Sequence, residues 1–99
     1  MHFLLIYEVG RDFVERRAEF RNEHLALAWE AHHRGELLLD GAVADPVDMV
    51  VLLFQGDSPA GAQRFAAADP YVLHGLVQRW GVRPWITVVG AEASAPMHV

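Results

Sequence analysis

The chain of 99 residues contains no cysteine. That excludes a disulfide framework, a thiolate nucleophile and a Cys-based zinc site. It also fits a reducing compartment. Positive charge is scarce. Eight basic residues against 13 acidic ones leave a net charge of -5. No cluster of basic residues tracks a strand or helix face, so nucleic-acid binding is disfavoured. No apolar stretch approaches the roughly 20 residues needed to span a bilayer. Met1 to Val9 is apolar, but it is short for a signal peptide and has no basic leader. These absences read as a soluble cytoplasmic protein with no membrane partner. Glycine patterns that cradle phosphates or dinucleotides are missing, since Gly10 and Gly35 stand alone at element boundaries. His32 and His33 are adjacent and cannot share a helix face, and His74 has no partner at helical spacing. Neither a metal site nor a cofactor is expected.

What is present is apolar. Hydrophobic residues make up 53% of the chain and charged residues 21%, richer in apolar residues than a typical soluble domain. The length sets one domain. Its surplus of apolar surface is expected to be covered by a second copy of the chain, in a homodimer.

His2 to Val9 is a short continuous apolar run ending at Gly10, which reads as a buried strand. From Arg11 to Arg34 there is no Gly or Pro, and good helix formers dominate. Phe13, Arg17, Phe20, His24, Leu27 and Ala31 recur at steps of three and four, so a helix lying across a sheet is predicted. Gly35 ends it, with His32, His33 and Arg34 in the last turn. Glu36–Val43 and Val47–Phe54 read as a hairpin around the turn signal Ala44-Asp45-Pro46, with a bulge expected at Gly41. Ser58 and Pro59 announce a helix over Ala60–Ala68, which Asp69-Pro70 stops. Tyr71–Val77 reads as a further short helical turn. Trp80–Val89 reads as the last strand, with Pro84 making its first half an edge or irregular. Ala91–Val99 is a tail of small residues. The order β-α-β-β-α-β is the split βαβ, ferredoxin-like α+β arrangement, a four-stranded antiparallel sheet with both helices on one face. The domain is expected over 1–90 and the tail over 91–99.

Several short motifs lie along this frame: Arg21-x-x-His24-Leu25, Gly35-Glu36-Leu37-Leu38, Gly41, Ala68-Asp69-Pro70-Tyr71-Val72 with Gly75, and Val82-x-Pro84-Trp85. In this order and spacing, over nearly the whole chain, they resemble the YCII-related (YciI-like) family. The resemblance implies a dimeric ferredoxin-like fold of the dimeric α+β barrel group, pairing through the sheet. It also implies an active site centred on a His and an Asp, which fall here on His24 and Asp69. The activities it suggests are those of a lyase, isomerase or dehydrohalogenase acting on a small cyclic or aromatic acid. The hairpin turn at Ala44–Asp48 is shorter here than in some members, which leaves any pocket more open.

The residues themselves support such chemistry. An imidazole with an unperturbed pKa of about 6.5 accepts and returns a proton near neutral pH. A carboxylate beside it fixes the tautomer and stabilises the charged form. Asp69 also has a plainer role as a helix stop before Pro70. Arg21 shares the face of His24 one turn away and suits binding of a carboxylate or phenolate; Arg17 is a weaker candidate of the same kind. Tyr71 can stack on a ligand or donate a hydrogen bond. Asp40, beside Gly41, is an alternative carboxylate for His24. Tyr7 reads as core or interface. The expected pocket lies between the long helix and the sheet, walled by Phe20, Trp29 and Tyr71. A non-catalytic ligand-binding or interaction module, with His24 and Asp69 in a structural hydrogen bond, is the alternative.

Overall fold

The computed structural model describes residues 1–99. Its elements are β1 (His2–Val9), α1 (Phe13–His33), β2 (Leu37–Val43), β3 (Met49–Gln55), α2 (Ala60–Ala68), α3 (Pro70–Leu73) and β4 (Val77–Trp85). The sheet is antiparallel throughout, in the order β2-β3-β1-β4. This is the ferredoxin-like βαββαβ arrangement, with α3 added ahead of the last strand. No helix is long and apolar enough to cross a membrane.

Side chains alternate across a strand, and here the alternation separates two unlike faces. Phe3, Leu5, Tyr7 and Val9 on β1, with Val50, Leu52 and Phe54 on β3, are buried beneath the helices. Leu4 and Ile6 on β1, paired with Leu53 and Val51 on β3, face the other way and are only half-buried. Exposed Leu39 and Val43 on β2 extend this second face. The core on the helix side is completed by Phe13, Ala28 and Ala31 of α1 and Ala62, Phe65 and Ala66 of α2.

Two glycines set the ends of helices. Gly35 has φ 81° and Gly75 has φ 77°, a left-handed conformation that costs glycine little. After α1, Gly35 N–H donates to the His32 carbonyl and Glu36 N–H to that of Ala31. After α3, Gly75 N–H donates to Val72 and Leu76 N–H to Tyr71. Both are Schellman closures, which satisfy the last carbonyls and turn the chain sharply into the following strand. His32 adds a hydrogen bond from Nδ1 to the Leu37 carbonyl at 2.8 Å, tying the end of α1 to β2.

Three local expectations are corrected. The last strand does not run over Trp80–Val89; it spans Val77–Trp85. Its limits are those of its partner, since Val9↔Val77 and His2↔Trp85 are the outermost pairs with β1. The helical turn expected up to Val77 accordingly stops at Leu73. The irregularity in β2 lies between Leu37 and Leu39, while Gly41 pairs regularly with Val51. The remaining elements match within a residue or two. Beyond β4, Ala95 N–H donates to the Thr87 carbonyl and Met97 N–H to that of Val88. His2 Nδ1 lies 2.6 Å from Thr87 Oγ1.

Candidate active site

The site is assembled from four elements. His24 lies near the middle of α1, a buried polar residue among the apolar ones that face the sheet. Asp69 lies at the joint between α2 and α3. Its extended backbone, φ -71° and ψ 124°, is the conformation that a following proline favours. Its side chain caps α3 by accepting the Tyr71 N–H at 3.1 Å and is fully buried. Asp40 projects from β2. It pairs with Leu52, whose side chain is buried under the helices, so Asp40 faces the same side. Tyr7 reaches in from β1 and is also fully buried.

These residues meet at the imidazole. Nδ1 of His24 lies 3.0 and 2.9 Å from the two oxygens of Asp69. Nε2 lies 2.6 Å from Asp40 Oδ2. A ring that donates to a carboxylate from each nitrogen is doubly protonated. Burial opposes that charge, but the hydrogen bonds to Asp40 and Asp69, and the charges of both, outweigh it. They push the His24 pKa up from its ordinary 6.5 to about 9. Tyr7 O–H donates to Asp69 Oδ2 at 2.7 Å. Burial, and then the charge of Asp69, raises the Tyr7 pKa far above its ordinary range, so this phenol remains a donor. The Tyr71 ring stacks on the imidazole, with centroids 4.3 Å apart and planes 15° apart. Phe65 meets the imidazole edge-on at 5.9 Å. Every buried side-chain nitrogen and oxygen in the chain has a hydrogen-bond partner.

A cavity of about 170 Å³ opens beside this array, between α1 and strands β2 and β3. His24, Asp40, Tyr71, Arg17 and Arg21 all line it, with apolar walls from Phe13, Leu25 and Val50. Arg17 lies over the Phe13 ring at 5.7 Å. Neither Arg17 nor Arg21 takes part in an ion pair, so two cations at the cavity have no anionic partner. Burial and the charge of Asp69 raise the pKa of Tyr71, while Arg21 and Arg17 oppose the shift.

The six residues singled out from the sequence therefore line or adjoin one cavity. Two readings change. Asp40 and Asp69 are not alternatives, because they hold opposite nitrogens of one ring. Phe20 and Trp29 are not walls of this cavity. Phe20 stacks on His74, with centroids 4.3 Å apart. Trp29 lines a neighbouring groove of about 230 Å³ together with Leu37 and Leu39. Five positions beyond His24 on a helix, Trp29 points well away from it. Tyr7, expected in the core or at an interface, is in the core and also holds Asp69; the one signal for this second role is a hydroxyl inside an otherwise apolar strand.

Comparison with known proteins gives a consistent frame. The family model described as a YCII-related domain matches residues 1–86. No curated protein sequence matches the chain. Among solved structures, it is similar to the 5-chloro-2-hydroxyhydroquinone dehydrochlorinase TftG of Burkholderia phenoliruptrix, in complex with 2,5-dihydroxybenzoquinone. The TM-score is 0.74 at 18% identity, over 88% of this chain and 95% of that one. A NIPSNAP family protein of Agrobacterium tumefaciens gives a TM-score of 0.59 at 18% identity, over 94% and 95%. The protein Atu4242 of the same organism gives 0.58 at 14% identity, over 97% and 98%. At these identities the likeness is one of fold.

Proposed function

Given that the chain belongs to the YCII-related family, we propose that it is a small cofactor-independent enzyme using His/Asp-centred general acid–base chemistry on a small cyclic or aromatic anion. One observation carries this reading: a buried imidazole held between two carboxylates lines a cavity with two unpaired arginines. Proton transfer at such an array contributes rate only if the reacting group is held in place. Arg17 and Arg21 are suited to hold an anionic group and to stabilise charge that grows on a substrate oxygen. Tyr71, Phe13 and Leu25 offer apolar surface to a ring. The reaction class is that of a lyase, isomerase or dehydrohalogenase. The ligand of the dehydrochlorinase that shares this fold, 2,5-dihydroxybenzoquinone, suggests the size and acidity of a suitable molecule.

The reading includes a cytoplasmic homodimer. Leu4, Ile6, Val51 and Leu53, with Leu39 and Val43, form the open apolar sheet face that a second copy would cover. The non-catalytic alternative draws on Asp69, which also caps α3 and anchors Tyr7. The two readings separate on His24→Ala assayed against small aromatic and lactone acids. An enzyme loses turnover while its far-UV circular dichroism is retained. A variant that keeps full turnover on an identified substrate removes His24 from the mechanism. Wild-type protein that binds and turns over nothing, with a variant that only melts earlier, favours the binding or interaction module.

A further inference from the structure

Resting on that reading, we infer that Asp40 is the residue that exchanges a proton with the substrate, and that His24 is a positioning residue behind it. Access separates the three residues. The Asp69 side chain is 0% exposed and that of His24 4%, whereas that of Asp40 is 15% exposed. Both nitrogens of His24 are already engaged by carboxylate oxygens, at 2.6 to 3.0 Å. A ring held in this way has no free lone pair with which to take a proton from a ligand. Asp40 is held to His24 through Oδ2 alone, and its Oδ1 makes no hydrogen bond within the chain.

The position of Asp40 adds to this. It lines the cavity that holds Arg17 and Arg21, and it also lines the neighbouring groove beside Trp29 and Leu39. Of the array's members it alone borders both spaces. A molecule with its anionic group at the arginines and its apolar part toward Trp29 passes over Asp40.

The step that follows is balanced without an oxidant or reductant. Asp40 takes a proton from carbon next to a carbonyl, and the electron pair of the broken C–H bond moves into the carbonyl to give an enolate oxygen. Arg17 and Arg21 face that charge. In an isomerisation the proton returns from Asp40 to the far carbon of a C=C conjugated with the enolate. In an elimination the enolate electron pair forms a C=C and expels the leaving group from the neighbouring carbon as an anion, and Asp40 passes its proton to water. An aspartate is a sufficient base for such protons when the oxyanion is stabilised, as in ketosteroid isomerase. His24, as an imidazolium fixed by Asp69, holds Asp40 in one orientation and balances its charge.

The test compares wild type, Asp40→Asn and His24→Gln, with folding checked by far-UV circular dichroism. The probes are benzoate, 2,5-dihydroxybenzoquinone and a γ-lactone acetic acid. ¹³C-labelled aspartate and ¹⁵N-labelled histidine report where each probe binds. Solvent-deuterium incorporation into the lactone's C–H positions reports proton transfer. The expected result is a probe-induced shift of the Asp40 carboxyl carbon, with the His24 ring remaining doubly protonated. Asp40→Asn then slows deuterium incorporation at least about 100-fold, with the Kd of benzoate within threefold of wild type. The inference alone is overturned if Asp40→Asn exchanges the lactone within fivefold of wild type while His24→Gln does not. It is also overturned if a probe displaces Asp40 and binds Nε2 of His24. If no probe shifts either residue and wild type exchanges nothing, the functional reading is overturned and this inference falls with it.

Discussion

The two carboxylates that hold His24 are chemically identical and structurally opposite. Asp69 is fully buried and satisfied on every side: it accepts from Tyr7, His24 and the Tyr71 backbone. Asp40 sits at a cavity wall with one oxygen uncommitted. The same functional group thus serves as a fixture on one side of the ring and as an accessible group on the other. The difference comes from the elements that carry them. The joint between two helices is enclosed by packing, whereas β2 is an edge strand that leaves its neighbour open.

That contrast breaks most visibly at Asp69. Removing it in Asp69→Ala leaves the Tyr7 O–H and the Nδ1–H of His24 buried without an acceptor and opens the cap of α3. Loss of one partner of a buried charged pair costs about 3–5 kcal/mol. The melting temperature is expected to fall by more than about 12 °C, at about 4–8 °C per kcal/mol for a domain of this size. If the loss is no larger than that of Asp40→Asn, the two sides are equivalent after all.

Raising the pH tests the same array without mutation. His24 holds its proton more tightly folded, with a pKa of about 9, than unfolded, at about 6.5. Its stabilisation is therefore fully present below about pH 6.5 and lost as pH rises through about 9. The groups facing it are Asp40, Asp69, Tyr7 and Tyr71, with Arg17 and Arg21 at the cavity. A shift of this size corresponds to about 3 kcal/mol. Urea unfolding at pH 6 and pH 9.5 measures it, and His24→Gln should flatten the difference.

Smaller effects sharpen the contrast. Tyr7→Phe removes one hydrogen bond to a buried carboxylate, with an expected cost of about 2 kcal/mol in urea unfolding. Arg21→Gln, at the open side, should change stability by less than about 0.5 kcal/mol. It should weaken binding of benzoate about tenfold, or about 1.4 kcal/mol, by calorimetry. A large stability loss in Arg21→Gln would show that the open side is structural too.

Much of this was legible from local chemistry. The change from a continuous apolar run to a period of three and four residues marks β1 and α1. Gly35, Ser58-Pro59 and Asp69-Pro70 mark helix boundaries because their backbone preferences are strong and local. The resemblance pointed to His24 and Asp69. What escaped was set by partners distant in sequence. The limits of β4 depend on where β1 ends, and no local pattern around Val77 or Trp85 records that. Asp40 was legible as a carboxylate for His24, but that it holds the ring together with Asp69 and not in its place depends on β2 packing beside α1. Tyr7 is an apolar ring and a polar hydroxyl at once, and in a buried strand the ring dominates the pattern. Trp29 continues an apolar stripe, yet the helix rotates it toward a different groove.

Asp69 joins β1 to α1 and α3, across 62 and 45 residues of sequence. No fragment lacking any of these elements can complete its hydrogen bonds. The Tyr7 hydroxyl proton and the His24 Nδ1 proton are therefore enclosed by elements distant in sequence, and their exchange with water is expected to follow cooperative opening of these elements and not fraying of a loop. Their rates of solvent exchange would report global unfolding from inside the site, so assembly of the array and completion of the fold are the same event.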